Sequence, residues 1–224
     1  PSGESRIPSF SAGEYNNSMQ ELLLPLFPLN VVLFPRVSLA LHIFEERYKE
    51  MIGECLANQS EFGVVLARED SLENIGCTAS ITEVVHKYDD GRVDIVVRGE
   101  RRFEILFLDR AKAYLRGAPQ FFEDEAGEVA PDDARRSEAL QIYEEVVRLL
   151  EAEQADAPDL QDGQLSYQII GRLPVDLGFK QGLLKNRAES ERLNEVIPFL
   201  RKAAARLAVT IRTRAKAGGN GQRH

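Results

Sequence analysis

Few residue types could carry chemistry in this chain, and the rarest are His42, His86, His224, Cys55 and Cys77. A metal centre needs three or four suitable ligands close together, yet no pair here has C-x-x-C or H-x-x-x-H spacing. Cys55 falls on the apolar face of a predicted helix, where a free thiol packs as a small hydrophobe. A nucleophilic thiol would need a base and an exposed, electropositive setting; His42 could supply the base only if the tertiary fold brought it to Cys55. His86 alternates within a strand beside Lys87 and is expected to be half exposed. No G-x-S-x-G elbow is present. Carboxylates are abundant, but Glu45 and Glu46 open a helix, where negative charge complements the dipole. The expectation is a chain with no catalytic, cofactor-binding or metal-binding residues.

Arginine is the more suggestive side chain. Tyr48 leads the apolar stripe of its helix, so its ring should be buried, and Arg47 beside it could pin a loop carbonyl or a carboxylate. "RGERRF" places Arg98, Arg101 and Arg102 within five residues. In a continuous strand Arg98 and Arg102 share one side and Arg101 points with Phe103 to the other, although Gly99 favours a turn. These arginines read either as a solvated strand edge that resists aggregation or as contacts for an anion or a peptide carboxylate. From Arg201 to His224 there are seven Lys and Arg, among them Arg206, Arg212 and Arg214, and no acid. The whole chain's net −8 less this tail's +7 leaves −15 for residues 1–200. The basic end is either a solvated helix terminus or a contact for RNA or an acidic partner.

These residues must be positioned by two kinds of element. Residues 22–126 are β-rich: strands are expected at Leu22–Leu29, Val37–Ile43, Glu61–Glu69 and Thr78–Tyr88. Pro25, Pro28 and Pro35 should interrupt the first strands or place them at an edge. Asp90-Gly91 predicts a hairpin with a primed turn, followed by "RVDIVVRG", with Val93, Ile95 and Val97 on one face, and by "RRFEILFLD", with Phe103, Ile105 and Phe107 on one face. "AYLRGAPQFFED" supplies a last strand. A single helix interrupts this region over 45–58, with Tyr48, Met51, Ile52, Cys55 and Leu56 on its apolar face. After "EDEAGEVAPDD" the pattern becomes helical: 132–155, with Leu140, Tyr143, Val147 and Leu150 as a stripe; "QLSYQIIGRL", stopped by Pro174; and "VDLGFKQGLLK". The last helix begins with a capping-box-like Asn186 and Glu189. Its stripe runs Leu193, Val196, Ile197, Leu200, Ala204, Leu207, Ile211, and Pro198 should kink it near Asn194.

The 224 residues suffice for a substantial core. Two cysteines do not make a disulfide framework, which points to a reducing cytoplasm, and no apolar run reaches the length of a membrane span. Residues 1–19 read as a disordered tail, with Met19 a candidate natural start; 20–126 as a β-rich unit; 127–217 as a helical unit; and 218–224 as a flexible tail.

Taken in order, "LPLFPLNVVLFP", "LHIFEERYKEM", "FGVVL", "IGCTASITEVVHKYDDGRVDIVVRGERRFEI" and "YLRG" resemble the N-terminal, substrate-binding domain of the Lon ATP-dependent protease family. "LSYQIIGRLPVDLGFKQGLL" resembles its helical part, and the "IFEERY" version resembles stand-alone bacterial LON-domain proteins more than the full protease. The resemblance implies an α+β fold: a PUA-like β-barrel subdomain with one packed helix, followed by an α-helical bundle. It implies recognition of unfolded or client polypeptides, or a protease or chaperone partner, with no membrane involved. The sequence stops where the protease's ATPase would begin and has no G-x-x-x-x-G-K-[ST], so ATPase and peptidase activities are not expected. The expected contact surface is the groove between barrel and bundle, with Phe27, Phe34 and Phe44 on one side and Phe179 and Leu183 on the other. PUA-like barrels bind RNA in other families, which keeps RNA as the alternative ligand.

Overall fold

The computed structural model describes residues 23–69, 71–126, 130–151 and 158–219, with side chains as far as residue 213. Six strands, β1 (Leu24–Leu29), β2 (Ser38–Ile43), β3 (Phe62–Arg68), β4 (Ser71–Lys87), β5 (Val93–Asp109) and β6 (Arg116–Phe121), share one sheet in the order β2-β5-β4-β3-β1-β6. β6 also pairs with β5, so the ladders run in a ring through β5, β4, β3, β1 and β6, with β2 added to the first half of β5. The β1–β3 pair is parallel and the rest are antiparallel. Helix α1 (Glu46–Asn58) lies between β2 and β3 in sequence; α2 (Asp133–Leu150), α3 (Leu165–Gly171), α4 (Leu177–Lys185) and α5 (Glu189–Gly219) follow the sheet.

The prolines of β1 do not interrupt it. Leu24 and Pro25 pair with β6, whereas Leu26–Leu29 pair with β3, so neither proline needs partners on both flanks. Pro35 sits in a turn closed by Val37 N–H to the Phe34 carbonyl (3.2 Å), and the next residue, Arg36, has φ 62°. That is the pattern of a type II turn, with Pro second and positive φ third. The connection from β1 to β2 thereby joins two cores. Val32 and Phe34 enter the helical cluster, and Leu33 between them enters the cluster beneath α1. Phe34 stacks on Tyr167 of α3 with ring centroids 4.9 Å apart.

Gly99 is not a turn. β5 passes straight through it, and a Cβ there would lie 2.1 Å from the Phe34 carbonyl oxygen. Gly99 N–H donates to Val37 (2.9 Å) and its carbonyl accepts from Arg36 (2.7 Å), which clamps the β1–β2 connection to the sheet. Beyond Gly99 the register shifts: Ala79 faces Gly99 and Cys77 faces Arg102. The extra residue of this bulge changes the alternation. Arg102 and Phe103 are therefore both buried, while Arg98 and Arg101 are exposed, which corrects the sidedness expected from a regular strand.

Three other details differ from expectation. The β4–β5 hairpin has positive φ only at Gly91 (83°), and Gly91 N–H donates to the Tyr88 carbonyl at 3.0 Å. That is a three-residue loop with a bulge-type glycine rather than a two-residue primed turn. Asn186 forms no capping box with Glu189: it is the C-cap of α4, its backbone N–H donating to the Gly182 and Leu183 carbonyls, its Oδ1 accepts from Ala188 N–H (2.9 Å), and Glu189 points into the interior. α2 ends at Leu150 with Glu151 in the left-handed region; residues 152–155, expected to continue it, lie outside the described residues, as do residues 1–19 and 220–224. Helix α1 buries Tyr48, Met51, Ile52 and Cys55 against the sheet; each of its large apolar side chains stabilises by about 1.5–3 kcal/mol. The α5 stripe is buried from Leu193 to Ala204, half-buried at Leu207 and exposed at Ile211, so the helix outruns its packing.

Candidate functional site

The sheet meets the helices where β6 ends. Phe122, Glu123 and Asp124 leave β6 and run past the start of α5. Asp124 is held from both sides. Arg102 of β5 donates to it at 2.5 Å, and Arg192 of α5 engages both its oxygens at 2.8 and 2.7 Å. Arg192 also pairs with Glu189 (2.8 Å), and Glu189 accepts from the Ser166 amide (2.9 Å) and hydroxyl (2.6 Å) at the start of α3. Arg102 reaches the Tyr167 hydroxyl (2.9 Å) and the Asn186 carbonyl (2.8 Å). Arg102 and Arg192 are 1% and 0% exposed, so two guanidinium groups are buried against two carboxylates. Burial alone would raise the Asp124 pKa, but the hydrogen bonds and charges of Arg192 and Arg102 hold it below the usual carboxylate range. Burial prevails at Glu189, whose pKa is raised despite Arg192 and Ser166. This seam welds sheet to helices.

In front of the seam lies an open cavity of about 550 Å³. Its sheet wall includes Ile75, Glu104, Phe121 and Phe122, and its helical wall is Lys185 and Arg187. Arg187 donates to the Glu123 carbonyl (3.0 Å), and the guanidinium groups of Arg102 and Arg187 lie 4.8 and 5.5 Å from the Phe122 ring centre. Large apolar side chains stay exposed on the β5–β6 ladder: Leu106 (61%), Phe107 (47%) and Leu108 (40%) towards the end of β5, and Phe121 (41%), which lines the cavity, at the end of β6; together they are the apolar ribbon. A register shift between Ile105 and Phe107 throws Leu106 out of the ladder. The β4–β5 ladder ends at Ile75 and Glu104; among the described residues β5 beyond that point pairs with β6 alone. Its other flank offers unpaired backbone groups next to exposed apolar side chains, which is what an added strand requires.

None of the five apolar residues expected in the groove lines this cavity. Phe27, Phe34 and Leu183 are buried core, at 5%, 0% and 0% exposure. Phe27 packs on Tyr48 with ring centroids 4.2 Å apart. Phe44 is exposed at the end of β2 and stacks on His42, and Phe179 is half-buried against Phe199. Nor do the arginines form one site. Arg98 is exposed on the outer sheet face; Arg101 lies over the Phe121 ring (4.0 Å) and pairs with Glu61 (3.2 Å); Arg102 is locked in the seam. Arg206 and Arg212 are exposed on α5, and the Arg214 side chain lies outside the described residues. Sequence reasoning missed Leu106, Leu108 and Phe121. The signal available was the unbroken apolar run Ile105–Leu108, which breaks the alternation of a half-buried strand.

The remaining chemistry-bearing residues are placed elsewhere. Cys55 and Cys77 are buried, and desolvation raises both thiol pKa values. His42 sits on the outer sheet face with Asp94 (2.5 Å), on the opposite side of β2 from the core that holds Ile43 and Cys55. Arg47 pairs with the Glu45 carboxylate (2.7 Å) and lies over the Tyr48 ring. Among the described residues no three His, Cys, Asp or Glu side chains form a group that could hold a metal, and no helix is long and apolar enough to cross a membrane.

The architecture is a ring of β ladders joined by a buried ion network to a helical unit, with exposed apolar side chains on the β5–β6 ladder. Residues 23–202 match the family model described as the ATP-dependent protease La (LON) substrate-binding domain, and the chain belongs to that family. It is 25% identical over 207 residues to a Lon protease of Flavobacterium johnsoniae, covering 84% of this chain and 25% of that protein. The crystal structure of a Lon N-terminal domain protein from Xanthomonas campestris superposes with a TM-score of 0.61 at 26% identity, over 79% of this chain and 97% of that one. The N-terminal domain of a Mycobacterium avium complex Lon protease shares the fold, with a TM-score of 0.57 at 18% identity over 80% and 97% of the two chains. The chain spans a quarter or less of the length of the first curated Lon proteases it matches.

Proposed function

We propose that this chain is a non-catalytic recognition module for polypeptides, acting in the cytoplasm on unfolded or client segments alone or beside a protease or chaperone. In this reading a β-rich unit (20–126) and a helical unit (127–217) frame the binding surface. The supporting observation is the ribbon Leu106, Phe107, Leu108 and Phe121, exposed beside the unpaired flank of β5. An extended segment can extend the β5 ladder through its backbone and set alternate apolar side chains on the ribbon, while Glu104, Lys185 and Arg187 offer polar contacts at the rim. The family description, a substrate-binding domain, supports the same reading. Fluorescence anisotropy with a labelled, permanently unfolded protein tests it: binding should saturate and be lost in Leu106→Ser/Phe107→Ser. Absence of binding up to about 100 µM, a weak affinity by any protein standard, would exclude generic clients.

One observation favours a second surface. Val146, Leu150, Phe199 and Leu207 line an apolar hollow of about 270 Å³ between α2 and α5, flanked by Lys202 and Arg206. An apolar floor with a basic rim suits an acidic protein segment better than RNA, for which stacking platforms would be needed. Deleting residues 212–224 should weaken such binding, and its affinity should fall with added salt.

A further inference from the structure

We propose that a second cavity, between helix α1 and the β5–β6 connection, is a binding site for an oxyanion, a carboxylate or phosphate group. The connection, residues 110–115, is anchored on α1. Lys112 Nζ donates to both Glu54 oxygens at 2.6 Å, the buried Tyr114 hydroxyl donates to Glu54 at 2.6 Å, and the Leu115 carbonyl accepts from Leu26 N–H at 2.8 Å. The cavity left between anchor and helix is about 310 Å³, and Arg47, Arg110 and Lys112 line it together with Tyr48 and Tyr114. Among the described residues no carboxylate lines it, in a chain whose net charge is −8.

Charge compensation is incomplete there. Glu45 holds Arg47 and Glu54 holds Lys112, each from outside the lining, while Arg110 has no ion pair among the described residues. Three cations against two carboxylates leave one positive charge at the cavity. The Arg47 guanidinium is seated on the Tyr48 ring, 4.5 Å from its centre, which limits its motion and leaves N–H donors beyond the Glu45 pair. The Lys112 ammonium spends its three N–H donors on the two Glu54 oxygens and the Tyr114 hydroxyl (3.0 Å), so it contributes charge, and the donors open to a ligand are those of Arg47 and Arg110. Two guanidinium groups lining one hollow suit a group with several acceptor oxygens, because forked donors match carboxylate and phosphate geometry. The site shares none of its residues with the ribbon, so the two readings can fail separately.

The test is an amide-NMR titration of the full chain at ionic strength held constant with sodium chloride. The probes are inorganic phosphate and a short polar peptide with either a free or an amidated C-terminus. Binding should move the backbone signals of Tyr48, Lys112 and Tyr114 to saturation. Arg110→Gln, at an exposed position, should weaken it roughly tenfold by removing a charge-assisted pair while leaving the unfolding midpoint unchanged. Response to phosphate alone supports a phosphate-bearing ligand, and response to the free-acid but not the amide peptide supports a chain terminus. Equal response to chloride, or no change on Arg110→Gln, overturns the site.

Discussion

The seam at Asp124 and the ribbon at Leu106 are neighbours along β5, and they invert the usual distribution of side chains in opposite senses. The seam puts charge inside. Arg102 and Arg192 are fully buried, and Asp124, Glu189, Tyr167 and backbone carbonyls supply their partners within the chain. The ribbon puts apolar surface outside, and nothing among the described residues covers Leu106 or Phe107. A buried charge must be compensated internally or the fold fails, whereas an exposed apolar patch can persist and marks a contact surface. Charge in this protein therefore holds its parts together, and apolar surface is what it presents.

The comparison breaks most readily at Arg192. Arg192→Ala leaves the buried Glu189 without its ion-pair partner and the half-buried Asp124 with Arg102 alone, and should cost about 3–5 kcal/mol, measured by urea denaturation; a loss below about 1 kcal/mol would mean that the seam behaves as a surface pair. Acid should act on the same group. The folded-state pKa of Asp124 is depressed, so its contribution is present above the unfolded carboxylate range and is lost as pH falls through its folded value. Glu189, with a raised pKa, has the opposite sign: its contribution is present in acid and is lost as pH rises through its folded value. Unfolding midpoints should then decline on acidification below about pH 4, and Asp124→Asn, less stable at neutral pH, should decline less steeply. An unchanged slope would remove Asp124 from the account.

Gly99→Ala comes next. A Cβ placed 2.1 Å from the Phe34 carbonyl must displace the β1–β2 connection, and overpacking of this kind costs about 1–3 kcal/mol. Thermal unfolding would show it, and a neutral result would mean that the connection is not clamped. The smallest effect on stability belongs to the ribbon. Leu106→Ser/Phe107→Ser should change stability by no more than about 0.5 kcal/mol per exposed site while abolishing binding of an unfolded polypeptide. Loss of stability comparable to that of Arg192→Ala would make the ribbon part of the core.

Local patterns located most of the elements. The α1 stripe from Tyr48 to Cys55 follows a period of 3.6 and was legible without a partner. The outer residues of the first half of β5, Asp94 and Val96, alternate with the buried Val93, Ile95 and Val97 as read. The fate of the five groove candidates was not legible, because Phe27, Phe34 and Leu183 look the same in sequence whether they line a cleft or fill a core. Phe34 is core because Tyr167, far along the chain, stacks on it.

By itself, the sequence determined the kind of fold: β-rich first and helical afterwards, with the ordered motifs of a LON substrate-binding domain. Periodicity, proline, glycine and charge runs act over a few residues, so they can be read without tertiary contacts. Only the tertiary structure decided which arginine is buried and which apolar run is exposed. One bulged residue after Gly99 turns Arg102 inward to Asp124, and the end of the β4–β5 ladder at Glu104 leaves Leu106 to Leu108 uncovered. Both outcomes depend on ladder register and on partners brought from distant parts of the chain, which no local pattern encodes.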